Sequence, residues 1–591
     1  MIIAMKKVAV IMQAKDSAQA LKALRSFGAV HVENQQPPKS ANLNNLLDDY
    51  ALVQQGLEVF SEEEFIEHCH GDLRHKETPD WKLTCRHALD LWKRIDHLEG
   101  YSFILNRDIK EWEKWGDFDP QIAGQLLKKN IFCSLYKIPL KDLAGLSGGY
   151  VIKKIYLEEN IAYCAVISRT KPELNFKEIE LPKISLSTMK DKLAENKLTI
   201  DRLRQELHQQ LCFRGSFVRA EVQIEKEIEF ENALSGMAQE TELSYLVGFA
   251  PRECETQLLD LAKKEKWGIL ITDPSDEDNV PVAIRNPKWI ALISPVFKLL
   301  EILPGYRELD ISLWFLLFFG IFFGMLIGDA GYGLTYFLLT LFVHAKFGKK
   351  VKDKSPFFLF YLLSFCAIIW GLLTGVFFGQ EWLQKIGWKP LVPALNDARI
   401  IQSFCFLLGA VHLSIAHIWK IILKIPSLSA LAELGWVGIL WGAFFLARFL
   451  ILGYEFPFFG KWLIFGGISL VILFTQPQKN ILKAIGSGCG TLALNLMNNF
   501  TDVVSYVRLF AVGLAGVAIA NTFNSMAAGI RGESILGLIL AIVVVLSGHL
   551  LNIVLGLMSV LVHGVRLNVL EFCSHVGISW SGTAYKPFKE N

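Results

Sequence analysis

Residues 486–528 read GSGCGTLALNLMNNFTDVVSYVRLFAVGLAGVAIANTFNSMAA and decide how the rest of the chain is interpreted. The stretch is long enough to cross the roughly 30 Å hydrocarbon layer of a membrane, with residues left over for a strong tilt. Its two charged residues, Asp502 and Arg508, lie deep in an apolar run. A charge at such a depth costs roughly 2.5–3.5 kcal/mol on insertion scales, so by default it marks an ion path or a helix contact. The stretch therefore predicts a membrane helix that carries a functional charge.

Polar residues recur at helical spacing in this stretch and again in the last apolar segment. The first stripe consists of Asn495, Asn498, Asp502, Ser505 and Arg508, at spacings of 3, 4, 3 and 3. The second consists of His549, Asn552, Gly556, Ser559, His563 and Arg566, at spacings that predict one shared helix face. Two interpretations stay open: the stripes join the last two helices by hydrogen bonds, or they line a path for ions.

Arg508 favours the second interpretation. Arginine stays charged at any relevant pH and is a poor proton carrier, but it pairs strongly with a carboxylate. The small residues that follow it, such as Gly513 and Gly516, allow another helix to approach closely. The carboxylates of this chain offer no evident partner, because Glu433 and Glu571 are predicted near span ends and Asp329 in a turn. We therefore expect a mobile acidic partner on another subunit.

The second half of the chain contains seven further apolar segments, which makes eight in all. The segments cover residues 311–328, 331–346, 356–379, 400–420, 429–452, 460–476, 486–528 and 535–575. The first two are short and are separated by Gly328-Asp329-Ala330-Gly331, so one broken or tilted span is an alternative. The prediction is an all-α membrane domain over residues 301–591, whose last two helices are long and tilted.

Loop lysines predict the orientation of this domain. Eleven lie on one side: Lys346, Lys349, Lys350, Lys352, Lys354, Lys420, Lys424, Lys479, Lys483, Lys586 and Lys589. The opposite side has five basic residues, Lys385, Lys389, Arg399, Lys461 and Arg531, beside four acidic ones, Glu381, Asp397, Glu455 and Glu533. The positive-inside bias places both termini and the first half in the cytoplasm. With no signal-peptide pattern at the N-terminus, the expected location is a prokaryotic plasma membrane, crossed several times, and an organelle membrane is the alternative.

The first half of the chain has a different composition. About 28% of residues 1–300 are charged, against about 11% of residues 301–591. The whole chain carries a formal charge of only +2, which excludes a strongly nucleic-acid-binding or disordered protein. One chain thus combines a water-soluble part with a membrane part.

The soluble part is predicted to be mixed α/β with a helical stalk. Strand-like and helical patterns at 7–32 and 245–272 form a proximal lobe, assigned to residues 1–75 and 240–300. Helical stretches within 80–128 and 184–240 carry apolar residues at spacings of three and four, which predicts an antiparallel coiled-coil stalk. The alternating runs between them predict a distal α/β lobe at 130–180. An ordinary helical domain is the alternative to the stalk.

Two other kinds of site are not favoured. The soluble part has no G-x-G-x-x-G turn, and the chain has no G-x-x-x-x-G-K-[ST] loop, so neither a nucleotide site nor an enzymatic role is expected. The ten cysteines include no C-x-x-C pair, and His68-Cys69-His70 consists of adjacent ligands without distant partners. We expect no metal and no cofactor.

Several motifs resemble the membrane subunit of rotary V/A-type ATPases, called subunit a or subunit I. The resemblance lies in Gly324–Gly333 (GMLIGDAGYG), Ser505–Leu509 (SYVRL), Val562–Phe572 (VHGVRLNVLEF) and Tyr585–Phe588 (YKPF). The opening MKKVAVIM…LRSFGAVHV and the GFAP segment at 248–251 extend it over nearly the whole chain.

The resemblance implies a stator that has no ATP site of its own. Arg508 would match the essential arginine that faces the carboxylates of a rotating proteolipid ring, and Arg566 a second, supporting arginine. Two aqueous half-channels would be offset across Arg508, and the soluble arm would bind peripheral-stalk subunits in a complex with a central stalk and a catalytic head. Each ring carboxylate would release its ion near the arginine, pair with it, and reload from the other half-channel.

The channel lining does not follow directly from the resemblance. Many eukaryotic relatives have a His where this chain has Gly516 and a Glu where it has Gly556. We expect the lining to be drawn instead from Asp502, Ser505, Asn495, Asn498, His549, Asn552, Ser559, His563 and Glu571. The sequence leaves open whether the ion is H⁺ or Na⁺ and whether the complex hydrolyses or synthesises ATP.

Two other functions compete with the ion-conducting stator. A secondary transporter with a cytoplasmic regulatory domain would show paired, interrupted spans in two similar halves, and we find no repeat between segments one to four and five to eight. A scaffold without a conducting role is the third hypothesis. Replacing Arg508 by Gln separates the scaffold from the conducting stator.

Overall fold

The structure is a computed structural model that describes residues 1–61, 80–143, 150–172, 174–380, 391–476, 481–530 and 534–590. The chain divides into two compact units, one of residues 1–10, 27–31 and 248–589, the other of residues 11–26, 32–247 and 590–591. His68-Cys69-His70 lies outside the described residues, as do Lys385, Lys389, Lys479, Arg531, Glu381 and Glu533 of the topology prediction.

The elements are numbered here in chain order. The strands are β1 Met5–Gln13, β2 His31–Glu33, β3 Phe132–Pro139, β4 Val151–Glu158, β5 Ile161–Ser168, β6 Glu178–Ile179, β7 Ala238–Glu240, β8 Leu243–Pro251 and β9 Gly268–Thr272. The longer helices of the first half are α1 Ser17–Phe27, α2 Ala41–Val59, α3 Trp81–Trp112, α4 Pro120–Leu127, α5 Leu186–Gln210, α6 Arg214–Ser235 and α7 Glu255–Glu265. Those of the second half are α8 Ser312–Ile327, α9 Ala330–Phe347, α10 Ser355–Thr374, α11 Ala398–Lys424, α12 Ala430–Leu452, α13 Phe458–Phe474, α14 Ile481–Ser505, α15 Val507–Ile530 and α16 Ile535–Ser559.

The predicted stalk corresponds to the antiparallel pair α3 and α5. Arg204 donates to Glu99 over 2.7 Å and Lys190 to Glu113 over 2.8 Å, so residue numbers rise on one helix as they fall on the other. Asn196, which interrupts the apolar seam of the sequence, donates to Ser102 of the facing helix over 3.2 Å. An antiparallel helix pair is therefore confirmed, whereas its supercoiling as a coiled coil stays a prediction.

A four-stranded sheet occupies the predicted distal lobe. Its order is β4-β5-β3-β6, and β3 pairs with β5 in antiparallel register from Phe132–Ser168 to Pro139–Ile161. The alternating runs that predicted strands here are β4 and β5. Buried Tyr136, Ile138 and Val166 form one side of its core.

Helix α2 was missed by the sequence analysis. Ser40 caps it by accepting a hydrogen bond from the Leu43 N–H over 3.0 Å. The helix is only weakly amphipathic, so its apolar residues give no clear stripe, but Val53 and Val59 are buried against α3 and α6. Contacts from two neighbouring helices thus stabilise a segment whose own pattern predicts little.

The C-terminal tail packs against residues 29–30 within the unit of residues 1–10, 27–31 and 248–589. The sheet has the order β2-β8-β1-β9, with β7 paired to β8. The tail after residue 577 runs along it: Tyr585 Oη donates to the Ala29 carbonyl over 2.6 Å, and the Phe588 N–H donates to the Val30 carbonyl over 2.8 Å. Phe588 is buried, so the YKPF motif anchors the end of the last membrane segment. That both termini are cytoplasmic stays a prediction.

Each of the eight predicted membrane segments is helical in the structure. Among the described residues, five helices are long and apolar enough to span a membrane, namely α10, α11, α12, 485–530 and 535–576. Helices α8 and α9 pass the same test only together, and they bend by 119° at the Gly328-Asp329 break, which raises the count to six. Helix α13 is a shorter apolar helix of 17 residues. The predicted number of eight spans is not confirmed.

Asp329 holds the bend between α8 and α9. Its carboxylate is fully buried and accepts four backbone hydrogen bonds, from Gly331 and Tyr332 at the start of α9 and from Phe378 and Gly379 after α10. Four N–H donors replace the water that a carboxylate would otherwise need, so the charge stays satisfied at this depth. Asp329 therefore has a structural role.

Replacing Asp329 by Asn is expected to lower the stability of the membrane domain by about 1–3 kcal/mol, because an amide cannot accept all four bonds and leaves a buried N–H without a partner. The measurement is the thermal midpoint of the detergent-solubilised protein. Asp353→Asn is the control, since the exposed Asp353 accepts a hydrogen bond from the Ser355 N–H at the start of α10. Equal shifts for the two variants would contradict the assignment.

Candidate functional site

The two segments that carry the polar stripes form an antiparallel pair. Four contacts join the two segments, and the residue numbers of the contacts rise along 481–530 as they fall along 535–576. The pairs are Asp502 with His575, Arg508 with Glu571, Gly516 with Asn552 and Asn524 with His549. Each contact pairs a stripe residue with a residue outside the other stripe, so hydrogen bonds join the two segments, and the role of the stripes in an ion path stays a prediction.

Arg508 pairs with a carboxylate of its own chain. Its Nη2 donates to Glu571 Oε1 over 2.7 Å, and its Nε donates to the Ser505 carbonyl over 3.0 Å. Arg566 Nε lies 3.6 Å from the same Glu571 oxygen. The expectation that this chain offers no carboxylate for Arg508 is wrong, because Glu571 is buried well inside the domain, with a side chain only 5% exposed.

A break in the helix places the Arg508 side chain. Helix α14 ends at Ser505 and α15 begins at Val507, with Tyr506 between them. Tyr506 is fully buried, and its hydroxyl lies 2.8 Å from His412 Nδ1 of α11. The predicted continuous stripe from Asn495 to Arg508 thus contains a discontinuity immediately before the arginine.

The last segment also departs from a regular α-helix. Residues Val560–Gly564 and Leu567–Phe572 are π-helical, with wider turns than α16 before them. The prediction that all six stripe residues share one α-helical face is therefore wrong beyond Ser559, because its 3.6-residue period ends there. The π turns contain His563 and Glu571 and flank Arg566, the residues around the Arg508 pair.

A chain of hydrogen bonds joins four side chains on one side of this pair, and we call it the histidine chain. Glu433 Oε2 lies 2.7 Å from His417 Nδ1, His417 Nε2 lies 2.9 Å from His575 Nδ1, and His575 Nε2 lies 3.0 Å from Asp502 Oδ2. The two histidines and Glu433 are buried, and Asp502 is half-buried. Three of the four members, Glu433, His417 and His575, were not among the predicted site residues.

Two lysines lie near Glu433, the end of the histidine chain opposite Asp502. Lys424 Nζ donates to Glu433 Oε1 over 2.5 Å, and Lys420 Nζ donates to the His575 carbonyl over 3.0 Å. A cavity of about 440 Å³ adjoins the chain. Its lining includes the predicted residues Asn495, Asn498 and Asp502, together with Thr475, Thr491, Asn499 and Ser574. This is the lysine-rich end of the predicted topology.

A second polar cluster lies on the other side of the Arg508 pair. His549 Nδ1 lies 2.6 Å from the Tyr332 hydroxyl of α9, and His549 Nε2 lies 3.1 Å from Asn524 Oδ1. Asn552 Nδ2 donates to the Gly516 carbonyl over 2.9 Å. The structure thus brings His549 and Asn552 together, as predicted, and adds Tyr332 and Asn524, which the sequence analysis did not select.

The remaining predicted residues have less defined places. Ser505 contributes its carbonyl to Arg508, and His563 has a buried Nδ1 without a hydrogen-bond partner among the described residues. Ser559 is half-buried at the end of α16, outside both clusters. Their roles as channel lining stay predictions.

Comparison with known proteins identifies the family. The chain is 32% identical to the V-type ATP synthase subunit I of Borreliella burgdorferi, and the match covers 100% of both chains. It is 30% identical to subunit I 1 of the V-type ATP synthase of Treponema pallidum, again over 100% of both. The chain belongs to the subunit I family of V/A-type ATP synthases.

Other matches are partial. The A-type ATP synthase subunit I of Methanocaldococcus jannaschii is 28% identical, over 54% of this chain and 51% of that one. A crystal structure of the cytoplasmic N-terminal domain of a subunit I, homologous to V-ATPase subunit a, covers 45% of this chain at 15% identity. Its TM-score is 0.26, so it carries no argument about the fold. No family model matches.

The chain is therefore a membrane subunit. The space around Gly556 bears on one departure from the eukaryotic pattern, in which a Glu takes this position. A Cβ on Gly556 would lie 3.0 Å from both Ile327 Cδ1 and the Tyr336 hydroxyl. That hydroxyl donates to the Ile553 carbonyl over 2.7 Å and fills the space beside Gly556. A side chain at this position would require the ends of the Ile327 and Tyr336 side chains to move by a few tenths of an ångström, so α8 and α9 leave little room beside Gly556.

Proposed function

We propose that this subunit is the stator through which ions cross the membrane sector of a rotary V/A-type ATPase. In this function, two access paths lead to opposite sides of Arg508, and a proteolipid ring carries ions from one to the other. The catalytic chemistry takes place elsewhere in the complex. The soluble arm, residues 1–300, binds the peripheral stalk and so resists the torque of rotation.

One observation carries the proposal: the Arg508–Glu571 pair separates two polar clusters along the same two membrane segments. Asp502, the inner end of the histidine chain, precedes Arg508 by six residues, about 9 Å of helix. Asn524, in the other cluster, follows it by sixteen residues, about 24 Å. Polar groups therefore lie on both sides of the arginine along these segments, and paths extended from the two clusters would approach it from opposite sides without joining.

The charge of Arg508 suits a barrier of this kind. The guanidinium stays protonated at any physiological pH, so it cannot relay a proton between the two paths. Its side chain is 23% exposed, which leaves part of the guanidinium available to a carboxylate from outside this chain. A ring carboxylate that has released its ion would be stabilised there and would become neutral again only by reloading.

The Arg508 pair also argues against a purely structural scaffold. Holding helices together requires hydrogen bonds, and the Asn and Ser residues of the stripes supply them at a lower desolvation cost than a buried ion pair. A secondary transporter is not favoured by any observation in the described part of the chain.

The two access paths can be tested by single cysteine substitutions in the assembled complex. Asn498→Cys is expected to react with a membrane-impermeant thiol reagent only from the lysine-rich side, and Asn524→Cys only from the opposite side. Sealed vesicles of both orientations are labelled, and the modified residue is identified by mass spectrometry.

Leu494→Cys serves as the matched control, because Leu494 is exposed on the same helix and is not among the residues that line the cavity. It is expected to stay unlabelled from either side. Labelling of Asn498→Cys and Asn524→Cys from the same side would contradict two separate paths.

A further inference from the structure

We propose that this subunit binds an anionic phospholipid in a cleft at the lysine-rich end of its membrane domain. The cleft, which we call the linker cleft, lies between the segment that precedes α8 and the C-terminal tail. It has a volume of about 570 Å³ and is lined by residues within 284–303, by Ser312 and by Gly582, Ala584 and Lys586. None of these residues belongs to the two polar clusters or to the Arg508 pair, so the inference does not depend on the proposed function.

The linker cleft lies at the level where two membrane helices begin. Ser312, which lines it, is the first residue of α8. Phe297, another lining residue, packs edge-on against Phe315 in the first turn of α8, with ring centroids 5.0 Å apart. Lys298 Nζ lies 3.8 Å from Asp353, two residues before α10 begins. The start of a membrane helix is the depth at which phospholipid headgroups lie, so the cleft adjoins the headgroup layer.

The wall of the linker cleft divides into an apolar part and a basic part. Ile293 and Phe297 are buried, and Ile302 is half-buried, so the inner wall is apolar. Lys298 and Lys586 are both exposed and line the cleft from opposite sides of the chain break between linker and tail. A phospholipid has the same division, with apolar acyl chains joined to a charged phosphate. The cleft is therefore complementary to it in both parts.

Further basic residues surround the linker cleft. The Lys298–Asp353 contact places the loop between α9 and α10 beside it, and this loop and its flanks contain five exposed lysines, Lys346, Lys349, Lys350, Lys352 and Lys354. Clusters of four to eight basic residues next to a membrane helix are typical of sites that bind anionic headgroups.

Two carboxylates, Asp353 and Glu301, offset part of this charge. Glu301 lines the linker cleft from an exposed position. The ion pair of Lys298 with Asp353 is long, at 3.8 Å, and the two side chains are 75% and 50% exposed. A pair of this kind contributes little, because water competes for both charges. The ammonium group of Lys298 thus remains available to a phosphate.

The linker also exposes two large apolar side chains, each directly after a lysine. Trp289 follows Lys288 and is 59% exposed, and Leu299 follows Lys298 and is 69% exposed. Tryptophan is enriched at membrane surfaces, where its ring lies among the headgroups. A segment that combines basic and large apolar residues is typical of chains that lie in this layer. The linker is therefore suited to contact with lipid rather than with water alone.

These features favour a lipid over a free phosphate ion. A free ion would pair with the lysines but would leave the apolar inner wall and the exposed Trp289 and Leu299 uncovered. A zwitterionic lipid would cover them, but its own ammonium group would compete with the lysines for the phosphate. An anionic phospholipid matches both the charge and the apolar surface.

The test is photolabelling of the complete complex in phosphatidylcholine vesicles. Photoactivatable phosphatidylglycerol, with a diazirine in one acyl chain, is included at increasing mole fraction, and labelled residues are identified by mass spectrometry. We expect labelling within 284–303 and 582–586, and much weaker labelling there by a phosphatidylcholine that carries the same diazirine. An excess of inorganic phosphate is expected to leave the labelling unchanged.

Three double variants separate the charge of the linker cleft from its shape. Lys298→Gln with Lys586→Gln is expected to raise the mole fraction needed for half-maximal labelling about 30-fold, since each lysine near an anionic surface contributes about a factor of five. Lys298→Arg with Lys586→Arg keeps the charge and is expected to label like the wild type. Lys263→Gln with Lys264→Gln is the matched control, because it removes the same charge from exposed positions on α7, outside the cleft lining.

Each contrary outcome has its own meaning. Equal labelling by the two lipids, or wild-type labelling of the Lys298→Gln, Lys586→Gln variant, would overturn the anionic-lipid site. Loss of labelling in excess inorganic phosphate would overturn it in favour of a site for free phosphate. All of these results can be obtained without ATP, so they leave the test of Arg508 unaffected.

Discussion

Replacing Arg508 by Gln is expected to reduce ATP-driven ion uptake by at least about 100-fold while the complex stays assembled. Removing one partner of a buried ion pair costs about 3–5 kcal/mol, and each 1.4 kcal/mol is a factor of ten. In Arg508→Gln that cost falls on the ring carboxylate, which would have to pass the stator without a positive partner. It would then keep its ion, and rotation would no longer exchange ions between the two paths.

The measurement is the initial rate of ATP-driven uptake by proteoliposomes, normalised to the amount of intact complex seen on a native gel. Arg399→Gln is the control, because Arg399 is exposed in the first turn of α11, away from both clusters. It should pump normally. Uptake by Arg508→Gln at a rate comparable to wild type would support a non-conducting scaffold instead.

Much of the fold could be predicted because it depends on local pattern. The apolar runs, the alternating strands of the distal lobe and the spaced apolar residues of α3 and α5 are each visible within a short window of sequence. Gly28 ends α1 with a positive φ of 69°, as its sequence position predicts. Helix α2 was missed because its stability comes from neighbouring helices rather than from its own periodicity.

The site could be predicted only in part, for a different reason. Arg508, Asp502, His549 and Asn552 stand out because they lie on the two segments that pair with each other. His417 and Glu433 lie on α11 and α12, and only the packing of four helices brings them to His575 and Asp502. Their signal in the sequence was a histidine and a carboxylate in apolar helices, with Lys420 one helical turn after His417.

The partner of Arg508 was missed because of the π turns. On a regular helix, the predicted face that contains Arg566 and His563 does not include Glu571, five residues after Arg566. The wider turns at Val560–Gly564 and Leu567–Phe572 change the register, and Glu571 reaches both arginines. Backbone irregularity of this kind depends on packing and has no residue signature of its own.

Glu571→Gln is expected to lower the stability of the membrane domain by about 3–5 kcal/mol, because it leaves two arginines without their shared carboxylate. Glu571 Oε1 lies 2.7 Å from Arg508 Nη2 and 3.6 Å from Arg566 Nε, whereas its Oε2 has no hydrogen-bond partner in the described part of the chain. The measurement is the thermal midpoint of the detergent-solubilised complex, with the exposed Glu455→Gln as control.

The double variant Arg508→Gln, Glu571→Gln separates stability from transport. Removing both charges of a pair is less costly than removing one, so the double variant is expected to regain much of the thermal midpoint lost by Glu571→Gln. It should nevertheless pump no ions, because the fixed positive charge is gone. Recovery of stability without recovery of uptake would show that Glu571 compensates Arg508 within this chain and that the ring carboxylate competes with Glu571 for the guanidinium. A Glu571→Gln complex as stable as wild type would mean that Arg508 is compensated from another subunit alone.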